Sequence, residues 1–182
     1  MRSRIVVALL AFALVPGAAF AANVGVAAFG GLSIPIVQDD NGQGSTFGAR
    51  VPVAVNGKFT VEPFFSSTSG GDKDEDVNGI TYTRSGIDMT SFGASLLVTF
   101  GAFHPYVGIG SYALERAGMD YTKVGYSFGL GYRIPIGVPK LAVDLRGGVV
   151  MVVEDTSSET ARKWGDLTVG VSYDLFPFGG PQ

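Results

Sequence analysis

The chain has 182 residues, 13 Lys+Arg against 16 Asp+Glu, 27 glycines and no cysteine. An acidic balance argues against a nucleic-acid partner, which needs a basic patch, and the missing cysteines exclude a disulfide scaffold. The length suits one domain, and so many glycines beside several long polar loops favour a β-protein with tight turns.

Arg2 and Arg4 precede an apolar run over residues 5–15, which Pro16-Gly17 breaks before Ala19-Phe20-Ala21. A basic head, a short apolar body and a small-x-small site make a secretory signal peptide. The run is too short to span a bilayer as a helix. Cleavage is expected after Ala21, giving a leader over residues 1–21 and one barrel domain over 22–182, with an uncleaved anchor as the alternative. Losing the two leader arginines leaves 11 Lys+Arg against 16 Asp+Glu, a net charge of −5. No later run is long enough for a membrane helix. A small exported domain without disulfides needs another source of stability, and membrane embedding is one.

About eight strand-like segments follow. The first, residues 23–35, alternates Val24, Val26 and Ala28 and leads into a polar loop over 38–45. The second sets Phe47, Ala49, Val51, Val53 and Val55 against Gly48, Arg50, Pro52 and Ala54, and ends at a turn around Asn56-Gly57. The third carries Phe59, Val61, Pro63 and Phe65 before a long loop over 66–86. The fourth reads Phe92, Ala94, Leu96, Val98, Phe100 and turns through residues 101–104. In the fifth, residues 106–115, Val107 and Ile109 compete with Tyr106 and Tyr112 for the outer face. A loop over 116–123 leads to the sixth, with Val124, Tyr126, Phe128, Leu130, Tyr132 and Ile134 against Gly125, Ser127, Gly129, Gly131 and Arg133. After a turn at 137–140, the seventh sets Leu141, Val143 and Leu145 against Ala142, Asp144 and Arg146. A loop over 155–163 and Trp164 enter the eighth, where Leu167, Val169, Val171, Tyr173 and Leu175 alternate with Thr168, Gly170, Ser172 and Asp174.

Strict alternation gives each strand one apolar and one small or polar face. The connections run long, short, long, short, as in up-and-down barrels of the bacterial outer membrane. An even strand number returns the last strand to the side of the first, where the two must pair to close the barrel. A soluble barrel would carry Lys, Glu and Gln on the non-apolar face. Here that face holds Gly, Ser and Thr with occasional charges, which suits a narrow filled lumen. The apolar face, with Phe100, Tyr132, Trp164, Tyr173 and Phe176 as an interfacial girdle, is therefore expected to meet lipid. The fold class is all-β: an eight-stranded antiparallel up-and-down transmembrane β-barrel. A soluble periplasmic ligand-binding barrel is the competing architecture.

Turn lengths then fix register. A four-residue turn at 137–140 pairs Ile136 with Leu141 and places Arg133 opposite Asp144, with Arg146 two residues on. A two-residue Asn-Gly turn would pair Val51 with Glu62 and turn that carboxylate into lipid, at a cost of a few kcal/mol. A three-residue turn over Asn56, Gly57 and Lys58 instead pairs Glu62 with Pro52, inside and diagonal to Arg50. Arg50, Glu62, Arg133, Asp144 and Arg146 thus form an internal network of both signs. It reads either as a charge-compensated plug or as an ion path; eight strands leave room only for side chains, which favours the plug.

The Pro105-Tyr-Val-Gly-Ile-Gly110 segment, the Ser127-Phe-Gly-Leu-Gly-Tyr132 strand and the closing strand resemble the small outer-membrane β-barrel superfamily, of the OmpA transmembrane and OmpX types. The resemblance implies a bacterial outer-membrane location in a Gram-negative cell, with lipid and lipopolysaccharide around the wall and surface loops open to an unidentified extracellular ligand. It also implies insertion by the barrel-assembly machinery, with Gly170, Tyr173, Leu175 and Phe176 matching the C-terminal signal. The tail after Phe176 departs from the usual aromatic end, so Phe178 competes with Phe176 as the last signal residue. No peptidoglycan-binding domain follows, so anchoring of the OmpA kind is not expected.

Two enzyme types share the architecture. Lipid A deacylases use a His-x-Ser pair with a carboxylate, whereas His104 is followed by Pro105 and Tyr106. The palmitoyltransferase type needs its histidine at the outer rim, and His104 is expected in an exposed turn at the other end. Asp72, Asp74, Asp76 and Asn78 alternate as in a calcium loop, but Val77 stands where glycine is required and Thr83 where a glutamate closes the site. A solvated, mobile acidic loop able to share divalent cations with lipopolysaccharide is the expectation. No catalytic, cofactor or metal residue is assigned. The expected role is a non-enzymatic monomer that is structural or surface-interactive, ahead of a narrow pore and, third, an outer-membrane lipid-modifying enzyme.

Overall fold

The computed structural model describes residues 23–36, 42–116, 118–155 and 160–176. The expected leader, the tip of the first loop and the tail with Phe178 lie outside the described residues, as does the side chain of Phe176. The described residues form eleven strands: β1 Asn23–Ile36, β2 Gly42–Arg50, β3 Val53–Ala54, β4 Phe59–Gly71, β5 Lys73–Val77, β6 Ile80–Arg84, β7 Asp88–Val98, β8 Phe103–Arg116, β9 Met119–Pro135, β10 Leu141–Asp155 and β11 Thr160–Phe176. β2 and β3 are two pieces of one wall strand, interrupted at Pro52, which has no N–H for the ladder. Gly25 N–H donates to the Pro52 carbonyl at 2.8 Å and Val51 N–H to Pro63 at 2.9 Å, so the wall continues across the break. The wall therefore has eight strands, each antiparallel to its neighbours, and β11 pairs with β1 to close it.

The ladder closes with a stagger. Partners followed round from Ala27, through Arg50, Phe64, Gly93, Gly110, Gly125 and Val152, arrive at Arg162, beside the Lys163–Ile36 pair. An offset of roughly ten residues over eight strands corresponds to a tilt of about 40° and a backbone radius of about 8 Å, given the usual rise and strand spacing. Such a cylinder holds side chains and little else. Its outer face carries the exposed apolar residues, among them Phe128, Leu130, Leu167 and Val169, while Thr168 and Ser172 between them are buried in the lumen.

Both register expectations hold. Asp144 pairs with Arg133. Val53 pairs with Val61 and Ala54 with Thr60, and Asn56 Oδ1 accepts from the Lys58 and Phe59 amides at 2.9 Å each, which fixes the three-residue turn. The fifth wall strand also resolves: Val107 and Ile109 are exposed on the outer face, and Tyr112 is buried in the lumen.

Three expectations are corrected. The turn after β7 is only Gly101-Ala102, with Gly101 at φ 63° and Phe100 bridged to Phe103. That tightness draws His104 into β8, where it is 5% exposed inside the barrel rather than lying in a solvated turn. Trp164 is 4% exposed and inward-facing, so it is no part of a lipid girdle. Finally, several polar segments expected as loops are strand. β8 and β9 run on to an Arg116–Met119 pair, and the 66–86 segment is a long hairpin whose end is β5–β6. The acidic stretch is thus an ordered two-stranded arm turning at Asn78 and Gly79, both with positive φ.

Candidate functional site in the lumen and at its rims

The lumen is filled in two layers of opposite chemistry. Toward the short turns the layer is ionic. Arg146 reaches across from β10 with Nη1 2.6 Å and Nη2 2.9 Å from the two Glu62 carboxylate oxygens, and its Nε donates to Asp144 Oδ1 at 2.5 Å. This fork-on-carboxylate geometry is the strong form of the pair. Arg50 lies 3.8 Å from Glu62 and 3.7 Å from Asp144, with its guanidinium 3.8 Å above the Phe29 ring. Two arginines thus face two carboxylates, and Glu62, Asp144 and Arg146 are all buried.

His104 belongs to this cluster, although nothing in its sequence neighbourhood indicates it. Its Nε2 is 3.1 Å from Asp144 Oδ2 but makes no aligned hydrogen bond. Space for it comes from β9: a Cβ at Gly131 would run into the imidazole, and one at Gly129 would meet the Tyr106 hydroxyl. The glycine-rich face of β9 therefore exists to admit the large inward side chains of β8. Arg133 is inward but stands apart from the cluster. Although it is opposite Asp144 in the ladder, its guanidinium bonds Asp174 at 2.9 Å near the short-turn mouth, where it is partly exposed. Asp144 is already engaged by Arg146, Arg50 and His104, whereas the Asp174 carboxylate, two strands away, is partly exposed at the mouth.

Toward the long hairpins the lumen is apolar. Ile87, Met89, Tyr112, Leu114, Val150, Val152 and Trp164 form one buried cluster. Between the layers runs a belt of hydroxyls, with Thr68 donating to Thr46 at 2.9 Å and Ser66 and Ser91 2.6 Å apart. Asp166, a further inward carboxylate, accepts from Ser33 at 2.7 Å. The Arg146–Glu62 pair separates a cavity of ≈60 Å³ in this belt from one of ≈110 Å³ that reaches toward Arg133 and Asp174. Both are on the scale of a few waters.

At the long-hairpin rim the acidic residues each have a structural task. Asp76 Oδ1 accepts from the Gly79 amide at 2.8 Å, Asp74 Oδ1 from the Thr83 hydroxyl at 2.7 Å, and Asp72 Oδ1 from the Gly86 amide at 3.0 Å. Glu75 pairs with Arg84 at 2.8 Å. Strand geometry, in place of a loop, spreads them along the arm; among the described residues no three His, Asp or Glu converge as a metal site would require. Of the expected assembly-signal residues, Gly170 is inward and Tyr173 and Leu175 are outward on β11.

Comparison with known proteins places the architecture. No curated protein is similar in sequence. Among solved structures, Neisserial surface protein A superposes with a TM-score of 0.51 at 14% identity, covering 85% of this chain and 97% of that one. The Yersinia pestis outer membrane protein Ail in a phospholipid nanodisc superposes at 0.50 and 14%, covering 84% and 99%. At such identity these likenesses speak for the fold alone. Residues 5–175 match the outer membrane protein β-barrel domain. The chain is a small bacterial outer-membrane barrel and belongs to the outer membrane protein β-barrel domain family.

Proposed function

We propose that this protein is a non-enzymatic barrel whose wall is an anchor and whose working surface is the rim of long hairpins, presented to the exterior. One observation carries the reading: the lumen is occupied by an ionic layer and an apolar layer in series. Water and ions crossing it would have to break the Arg146–Glu62 clamp and then wet an apolar plug, two separate barriers. The narrow-pore alternative meets both. A lipid-modifying activity finds no support in His104, which is buried with Asp144 on the short-turn side, away from the exposed rim. In this reading residues 1–21 are removed on export, the barrel-assembly machinery reads the end of β11, and lipopolysaccharide surrounds the hairpin side of the wall.

The chain has no cysteine, so Asn78→Cys at the tip of the β5–β6 arm is a unique label site. Intact cells should label with a membrane-impermeant maleimide, and purified protein in planar bilayers should show negligible conductance. Labelling only after lysis would reverse the orientation; a stable open channel would favour the pore.

A further inference from the structure

β1 and β11 close the barrel wall, and above the ring Met119–Val124 of β9 pair only with β8 among the described residues. The arm is free on both sides. Among the described residues, β5 and β6 pair only with each other. The β4–β7 ladder runs through Thr68–Met89 and resumes in the same register at Lys73–Arg84. Neighbouring pairing stops lower, at Gly42–Gly71 on one side and Asp88–Glu115 on the other. The arm stands clear by five residues per strand, or about 17 Å. Each of its strands offers a row of free N–H and C=O groups, a template for another strand.

The two edges are unequal. β5 reads Lys-Asp-Glu-Asp-Val, and an antiparallel copy laid on it would set Glu75 against Glu75 and Asp74 against Asp76, which is repulsive. β6 reads Ile-Thr-Tyr-Thr-Arg, β-branched or aromatic except for Arg84, and every residue is exposed. Paired antiparallel with its own copy about Tyr82, it sets Tyr82 on Tyr82, Thr81 on Thr83, and Ile80 along the stem of Arg84. The Arg84 charge is already met by Glu75 at 2.8 Å. Aromatic and Thr–Thr cross-strand pairs are favourable ones. The acidic β5 strands would be three strand spacings apart, about 14 Å, which is beyond the screening length of physiological salt.

Direction restricts where the second copy can be. β6 runs toward its own membrane, so an antiparallel β6 must run toward a membrane facing it. We infer that the free edge of β6 is a homotypic contact, pairing antiparallel with β6 of a second copy in an apposed membrane to make a continuous four-stranded sheet. A pairing five residues long is well under the roughly 1,200 Å² of a stable soluble interface. Many such contacts between two membranes add by multivalency, so the contact joins surfaces without making stable dimers in detergent. The inference rests on the proposed exposure of the arm, which the Asn78→Cys labelling tests separately.

The test uses the full barrel in phosphatidylcholine vesicles, with heat-modifiable migration confirming that each variant is folded. Wild-type vesicles should cluster, read as turbidity, and Thr81→Asp/Thr83→Asp should lose clustering by at least fivefold because four carboxylates then meet across the seam. Under mild oxidation Tyr82→Cys should crosslink between vesicles, and Glu75→Cys on the guarded edge should not. Folded wild-type vesicles that stay dispersed would overturn the proposal. So would clustering that survives the aspartates, or equal crosslinking from both cysteine variants. If the Tyr82→Cys variant crosslinks to a different protein in whole outer membranes, with no self-crosslink, the edge belongs to another partner and a homotypic contact is refuted.

Discussion

Replacing Arg146 by alanine tests whether the ionic layer is a balanced unit. The side chain makes three hydrogen bonds to two buried carboxylates. Without it, Glu62 keeps only Arg50 at 3.8 Å, and Asp144 keeps Arg50 at 3.7 Å and His104. The cluster passes from two charges of each sign to an excess negative charge in a site where Glu62 is 2% exposed. Breaking a buried pair by removing one partner costs about 3–5 kcal/mol. At a urea dependence of about 2 kcal/mol per molar, the unfolding midpoint in lipid vesicles should fall by about 1.5–2.5 M. Removing both partners of the fork, Arg146→Met with Glu62→Leu, leaves Arg50 facing Asp144 and restores neutrality. It should recover most of the loss, because an apolar replacement of a buried pair is often neutral or better. A double variant as unstable as Arg146→Ala, or a single variant losing under about 1 kcal/mol, would refute the charge-balance argument.

The two layers in series predict that Arg146→Ala alone leaves bilayer conductance negligible, whereas adding Leu114→Ala and Val152→Ala in the apolar layer produces measurable channel events. Conduction by the single variant would mean the apolar layer is no barrier. Gly131→Ala should destabilise by about 1–3 kcal/mol through its collision with His104, and His104→Ala in the same chain should rescue it; a rescue failure in equilibrium unfolding would separate the two residues. Trp164→Ala should cost about 3–5 kcal/mol as a buried aromatic in the plug, where a lipid-facing girdle residue would cost much less. Arg133→Ala, at the partly exposed mouth, should shift stability in the same unfolding assay by less than about 1 kcal/mol.

The wall is legible in the sequence because two independent periodic signals coincide there: alternation fixes which face is apolar, and turn chemistry at Asn56 and at residues 137–140 fixes register. The lipid penalty on Glu62 alone discriminates between two turn lengths that local propensity cannot. What alternation does not carry is the partner of an inward side chain. Arg133 sits opposite Asp144 in the ladder yet bonds Asp174, since side chains inside a tilted cylinder meet across strands that are not sequence neighbours. The positions of His104 and Trp164 escape a sequence reading for a related reason. The nearest turn or strand end suggests an exposed place for each, and a two-residue turn at Gly101-Ala102 and the extension of β11 to Thr160 carry both into the ladder. The apolar plug is hidden because Val150 and Val152 follow the paired glycines 147 and 148, beyond the point where polar–apolar alternation remains visible.

The β1–β11 seam has a kinetic consequence. Every other lateral pairing of the wall joins strands that follow closely in the chain, whereas Val26–Tyr173 and its neighbours join residues nearly the whole described length apart. Loop-closure entropy and contact order make this the last and slowest contact to form. Until it forms, the sheet has two raw edges, and hydrocarbon tolerates none, because each unpaired backbone group there costs several kcal/mol. Insertion and closure are therefore expected to be coupled, with β1 and β11 kept out of hydrocarbon until they pair, and variants that weaken the seam should stall during biogenesis before they lower the stability of barrels that have already closed.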